Sequence, residues 1–338
     1  MKSLNIIKLV LPGVVLSFVL SYSGFRLSAL HPLADALFIT FLGAIIVGNI
    51  IKQKTFLYMG IGLCKDILIP VGLFLYGTQV NLKDWAALKS NIFLFAILNL
   101  IIYFVVILLI NRYVFKILNN KISFLNGGAN AICGVSATAV FIPFVDAKDD
   151  EVTLTLVSIV ITGIVSVFAT WFVVQEILNL SMQQYAQLCG LTLNQTGATK
   201  LAASFMSKDA AKIAVMIKNF RTSMIIPVAL LLMFLSQAFG GTASKMSPEL
   251  RKSAVYYGIF IAMLFFGGAL LFSFTPLSVY VKSIKPTFTV LFGMTLASVG
   301  LLCNLRSVSI KDMASNTISA IIAWFVVMMV TVRMIRLI

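Results

Sequence analysis

The sequence predicts an all-α polytopic membrane protein of about ten to eleven transmembrane helices, two of them broken or re-entrant. Three observations carry this. First, the 338 residues are 60% hydrophobic and 11% charged, whereas a soluble domain carries about a quarter charged residues. Second, apolar runs of about 20 residues, the length that crosses a bilayer, recur along the whole chain, and the mean hydropathy is +1.03. Third, two segments of crossing length are too polar and too rich in glycine for ordinary spans. Backbone loosened in this way cannot face hydrocarbon, because each unpaired N–H or C=O would cost several kcal/mol.

In chain order, the first span is expected over 5–23. Its Lys-flanked apolar core looks like a signal peptide, but it is longer than a usual h-region and has no small-x-small cleavage site, so it reads as a retained helix. Spans follow over 33–51, 61–80 and 91–112. The first interrupted segment covers 123–145. Span 152–178 comes next, behind the acidic turn at 146–151, whose carboxylates suit a helix N-terminus. The second interrupted segment covers 186–206. Spans over 212–238, 254–274, 285–305 and 312–335 complete the chain. Connections are short, so residues 1–338 read as a single transmembrane transporter domain without a soluble module.

The net charge of +15 suggests nucleic-acid binding at first sight. No basic soluble domain exists to carry that function, and the Lys and Arg residues instead sit where they anchor helix ends against anionic headgroups. Cys64, Cys133, Cys189 and Cys303 lie in or near apolar segments without metal spacing and read as small packing residues. His31 is the one histidine, which builds neither a metal site nor a pair of haem ligands, and it reads as structural.

Two internal similarities point to repeats of the cation/proton antiporter and anion transporter type. Gly72-Leu73 through Lys83-Asp84 reads like Gly300-Leu301 through Lys311-Asp312, each a span ending in the same register. Both interrupted segments also precede a Lys-Asp turn, Lys148-Asp149 and Lys208-Asp209, and then a long helix.

The candidate substrate-binding residues come from the interruptions and the helix behind the second. In the first, Asn126, Asn130, Ser136 and Thr138 supply neutral donors and acceptors. Gly127, Gly128 and Gly134 allow close approach or a helix break. A half-helix starting at Cys133 or Gly134 would turn free N–H groups toward a ligand, which suits an anion; the alternative is tight small-residue packing. In the second, Thr192, Asn194, Gln195 and Thr196 form a dense uncharged run, and Lys200 adds a positive charge, either lining a cavity or forming an external loop. Lys218 and Arg221 lie three residues apart on one helix face, at membrane depth, where an ionisable residue is a functional candidate by default; snorkelling to the interface is the alternative. Lys65-Asp66 reads as a solvated start of the third span, with Asp66 a weaker candidate ion carrier. No phosphate-binding loop, zinc-protease motif or nucleophile elbow occurs, so neither ATP drive nor an enzyme is expected.

Residues 132–227 resemble the bacterial sulfate exporter family of YeiH-like conserved inner-membrane proteins. Ile132-Cys133-Gly134-Val135-Ser136-Ala137 is similar to that family's Ile-Cys-Gly-x-Ser-Ala signature. Pro143 with the 147–151 acidic turn, Lys218 with Arg221, and Pro227 fit its pattern as well. One run departs from it: a Ser-Ile-His-Asp-Thr-Ala-Gln stretch is replaced here by Thr192-Leu193-Asn194-Gln195-Thr196-Gly197, so an amide pair stands where the family has a titratable one. The resemblance implies a multi-pass carrier of the bacterial inner membrane. The expected function is export of a small anion, sulfate or sulfonate-like, by alternating access, without a cofactor. A coupling Na+ or H+ and a homodimer are compatible with it. The alternatives are a Na+- or H+-coupled organic-anion carrier, a cation/proton antiporter, a channel and an intramembrane enzyme.

Overall fold

The computed structural model describes residues 2–30, 35–51, 56–83, 90–117, 119–239 and 248–337. His31 and Asp84 lie outside these. Every described secondary-structure element is helical. Among the described residues, eight helices are long and apolar enough to cross a membrane. With the shorter α2 (Ala36–Ile50) and the two interrupted segments, the expected layout is present. The chain divides into two compact units, residues 1–83 with 259–307, and residues 84–258 with 308–338.

The first unit holds α1 (Lys2–Ser28), α2, α3 (Tyr58–Thr78), the second part of α12 (Pro248–Phe274) and α13 (Val281–Leu302). Lipid tails give apolar helices no hydrophobic reason to associate, so small residues that allow close van der Waals contact decide the packing. α1 and α3 cross backbone to backbone: a Cβ on Gly13 would lie 2.8 Å from the Cα of Gly60. Two buried hydroxyl contacts tie α1 to α13, Ser17 Oγ to Ser298 Oγ at 3.1 Å and Ser21 Oγ donating to the Val290 carbonyl at 2.7 Å. α3 begins earlier than expected, so Lys65 and Asp66 lie inside it rather than at its start. Their charged groups are 3.9 Å apart, with the Asp66 side chain 75% exposed. The proposed register match also fails at the helix ends, since α3 runs on to Thr78 after Gly72 whereas α13 stops at Leu302, just past Gly300.

The second unit holds α4 (Ser90–Leu109), α5 (Asn120–Ala131), α6 (Val135–Val145), α7 (Asp149–Ala169), α8 (Met182–Thr192), α9 (Thr196–Ser204), α10 (Lys208–Ser223), α11 (Ile225–Phe239), the start of α12 and α14 (Ile310–Arg336). Its helix starts are set by local chemistry. Asn119 accepts from the Lys121 N–H at 3.0 Å to open α5, and Ser207 accepts from the Ala210 N–H at 3.0 Å to open α10. The acidic turn caps α7 as expected, with the Glu151 carboxylate accepting from the Lys148 N–H at 2.8 Å. The span expected over 212–238 is divided at Met224. Pro227 explains this, because it has no N–H to offer the Ser223 carbonyl one turn back. All four cysteines are buried free thiols.

Candidate functional site: the meeting of two broken helices

The first segment breaks between α5 and α6, at Ile132–Gly134. Gly134 has φ +67° and ψ −115°, a conformation that a side chain strongly disfavours, so glycine is required here. The second breaks between α8 and α9, at 193–195, through extended backbone that needs no glycine: Leu193 has φ −75° and ψ 143°, Gln195 φ −124° and ψ 144°. The two breaks touch. A Cβ on Gly134 would lie 3.1 Å from Gln195 Cγ and 3.4 Å from the Asn194 carbonyl oxygen.

The half-helix ends are treated in opposite ways. The last carbonyls of α5 and α8 carry negative dipole ends and have no partner within their own helices. α10 lies against α8 and α9 and presents Lys218 and Arg221 to them. Lys218 Nζ donates to the Ile132 carbonyl, and to that of Leu193 at 2.8 Å. Arg221 donates to the carbonyls of Ala131 at 2.6 Å, Leu193 at 2.9 Å and Gly190 at 3.2 Å. Both cations are fully enclosed, at 0% and 1% exposure, which is tolerable because the charge meets several carbonyl dipoles rather than hydrocarbon. Asn99 of α4 also donates to the Leu191 carbonyl, at 3.4 Å.

The N-terminus of α9 has no side-chain cap, and that of α6 is served in part by Cys133, whose sulfur accepts from the Ala137 N–H. Neither Gly134 nor Gln195 provides a side-chain cap. The first turns hold Ser136 and Thr196, both half-buried. Among the described residues Glu151 is the one buried acid, and it is committed to the start of α7. Two positive helix ends therefore meet beside two buried cations, with no protein carboxylate among them.

A buried chain of amides leads away from this point. Asn194 Nδ2 donates to Asn130 Oδ1 at 2.9 Å, Asn130 Nδ2 to Asn126 Oδ1 at 2.6 Å, and Asn126 Nδ2 to Asn316 Oδ1 at 2.8 Å. Asn111 Nδ2 reaches the same Asn316 oxygen at 3.4 Å. Asn194 and Gln195 also lean on α7, each donating to the Ile159 carbonyl, at 3.3 and 3.4 Å.

The structure thus gathers Asn126, Asn130, Gly134, Asn194, Gln195, Lys218 and Arg221, with Ser136 and Thr196 at the two helix starts. It gives the others different work. Gly127 and Gly128 lie within continuous α5, where their bareness admits Phe104, Leu232 and Phe141. Thr138 and Thr192 turn their hydroxyls back onto their own helices, to Gly134 O at 3.1 Å and Leu188 O at 2.7 Å. Lys200 is exposed on α9. Lys218 and the two terminal nitrogens of Arg221 donate to carbonyls and so position the half-helices, while Arg221 Nε is buried without a partner. Asn316, Asn99, Asn111 and Ser158, which donates to Asn316 O at 3.1 Å, were not among the sequence candidates. Their signal was an asparagine or serine inside an otherwise apolar span.

The sequence pattern of the family described as Conserved hypothetical protein 698 matches residues 12–319. The UPF0324 inner membrane protein YeiH of Escherichia coli O6:H1 is 26% identical over 94% of this chain and 91% of its own. A UPF0324 membrane protein of Archaeoglobus fulgidus is 25% identical over 79% of this chain and 75% of its own. A UPF0324 membrane protein of Yersinia pestis is 27% identical over 81% and 76%. No solved structure matches. With eight apolar spans among its described residues, this chain is a multi-pass inner-membrane protein.

Proposed function

The chain belongs to the Conserved hypothetical protein 698 family, the YeiH-like membrane proteins, and we propose from that premise that it is a secondary transporter of a small anion. The observation that carries this reading is the pair of helix starts meeting at Gly134 and Gln195, neither of which supplies a side-chain cap. Helix N-termini with free N–H groups favour negative charge, and half-helix N-termini aimed at an anionic group are a recurring device of carriers built on discontinuous helices. Lys218 and Arg221 add positive potential while holding the opposite ends of the same half-helices. The substrate would be held by the first-turn N–H groups of α9 and by those of α6 that Cys133 does not take, with Ser136 and Thr196 as flanking hydroxyls.

This arrangement favours an anion carrier over a cation/proton antiporter, because a cation would enter a field already positive from two helix ends and two basic side chains. Sulfate or a sulfonate is one substrate class that fits the charge. The mechanism is alternating access around the paired breaks, without a cofactor and without covalent chemistry. The test is uptake of radiolabelled sulfate, sulfite and bicarbonate into proteoliposomes containing the full chain. Saturable flux of at least one anion is expected, lost in Arg221→Ala and partly restored in Arg221→Lys. Flux unchanged in Arg221→Ala, or flux of Na+ alone, would contradict the reading.

A further inference from the structure

We infer that the anion taken at this site also carries a hydrogen-bond donor, as a hydroxy-oxyanion such as bicarbonate or hydrogen sulfite does. The inference rests on the anion-carrier reading above and narrows its substrate class. Its basis is the direction of the amide chain. Backbone carbonyls can only accept, and they fix the amides in turn. Asn126 Nδ2 also donates to Asn316 O at 3.1 Å, Asn130 Nδ2 to Asn126 O at 3.0 Å, and Asn194 Nδ2 to Ile159 O at 3.3 Å. None of the three amides can be reversed without setting oxygen against oxygen.

The chain therefore begins on an oxygen. Asn194 Oδ1 is buried without a hydrogen-bond partner, in a residue 1% exposed. Asn194 directly precedes Gln195, the cap position of uncapped α9. α7 passes the two amides at Gly163, where a Cβ would lie 3.3 Å from Asn194 Oδ1 and 3.1 Å from Gln195 Nε2. The same locality thus presents the α9 helix start, the α6 start in part taken by Cys133, the unpartnered Arg221 Nε donor and one lone acceptor, Asn194 Oδ1.

A lone buried acceptor is satisfied by a cation or by a donor. The surrounding field argues against a cation, since two positive helix ends and the Lys218–Arg221 pair surround the breaks without a buried acid among the described residues of that region. A hydroxy-oxyanion satisfies both halves: its charged oxygens take the N–H groups, and its O–H donates to Asn194 Oδ1. Sulfate, which has no hydrogen, leaves that acceptor unpaired. Sites built to bond a substrate hydroxyl reject analogues that lack it far more strongly than apolar pockets reject a missing methylene.

The test is calorimetric titration of the purified full chain in detergent with two shape-matched pairs of monoanions. Bicarbonate is set against acetate, and hydrogen sulfite against methanesulfinate; in each pair a methyl replaces the hydroxyl. In at least one pair the hydroxy member is expected to bind about tenfold tighter or more. In Asn194→Leu the affinity ratio between the two members should fall toward one. Equal affinities within both wild-type pairs would overturn the donor requirement and leave the anion site standing. A preference that persists in Asn194→Leu would remove Asn194 from it. Binding of none of the four, with a heat from Na+ instead, would overturn the anion reading itself. If Asn194→Leu does not fold, the wild-type pairs decide the question alone.

Discussion

The two compact units solve the same problem, holding helices together in lipid, by different means. The first does it with bare backbone and small hydroxyls: Gly13 against Gly60, Ser17 against Ser298. Its described helices run unbroken and enclose no charged side chain. The second interrupts two helices at depth and then encloses a lysine, an arginine and a run of asparagines to make the interruptions tolerable. Packing alone does not call for such groups, since each is costly to bury unless fully bonded. On the anion-carrier proposal, the costly polar construction of the second unit is the working part.

That comparison can be broken by mutation. The largest effect is expected from Arg221→Ala, which strips buried carbonyls on both half-helices. At roughly 1–3 kcal/mol per orphaned buried group, the loss is about 3 kcal/mol or more, read as a lowered denaturation midpoint in detergent. Asn126→Leu comes next: it leaves the Asn130 amide and the Asn316 oxygen short of a partner, for about 2–4 kcal/mol. Gly134→Ala must adopt φ +67° and meets Ile159 Cγ2 at 2.8 Å, which sets its cost at about 2 kcal/mol; its anion affinity should fall as well, because the α6 start is displaced. Ser17→Ala, in the first unit, removes one hydroxyl contact and should cost about 1 kcal/mol with anion affinity unchanged. A Ser17→Ala effect on affinity as large as that of Gly134→Ala would erase the distinction between the two units.

Much of the fold was legible in the sequence. Apolar runs gave the spans, and the polar, glycine-bearing interruptions at 123–145 and 186–206 fall on α5–α6 and α8–α9. Pro227 and the 146–151 acids mark real helix ends. Less of the site was legible, for physical reasons. A glycine run does not say which glycine breaks the helix: Gly127 and Gly128 pack against aromatic and leucine side chains, and only Gly134 takes a positive φ. A threonine in a polar run does not reveal that its hydroxyl folds back on its own helix, as Thr138 and Thr192 do. Lys218 and Arg221 were visible as cations at membrane depth, with snorkelling as the alternative, but their partners are backbone carbonyls, which no side-chain pattern encodes. Asn316 joins Asn126 from 190 residues away, a pairing that local periodicity cannot supply.

The most direct test of the central claim, that the two helix starts hold an anion, is substituted-cysteine protection. Ser136→Cys and Thr196→Cys, at the half-buried first turns of α6 and α9, are made separately with the four buried native cysteines replaced by alanine or serine. Each is labelled with a small methanethiosulfonate in the presence of bicarbonate, hydrogen sulfite, sulfate or NaCl. The account predicts that one and the same polyatomic anion slows labelling at both positions, while a control cysteine at exposed Asp66 labels at an unchanged rate. Protection by Na+ alone, or protection at one helix start without the other, would contradict it.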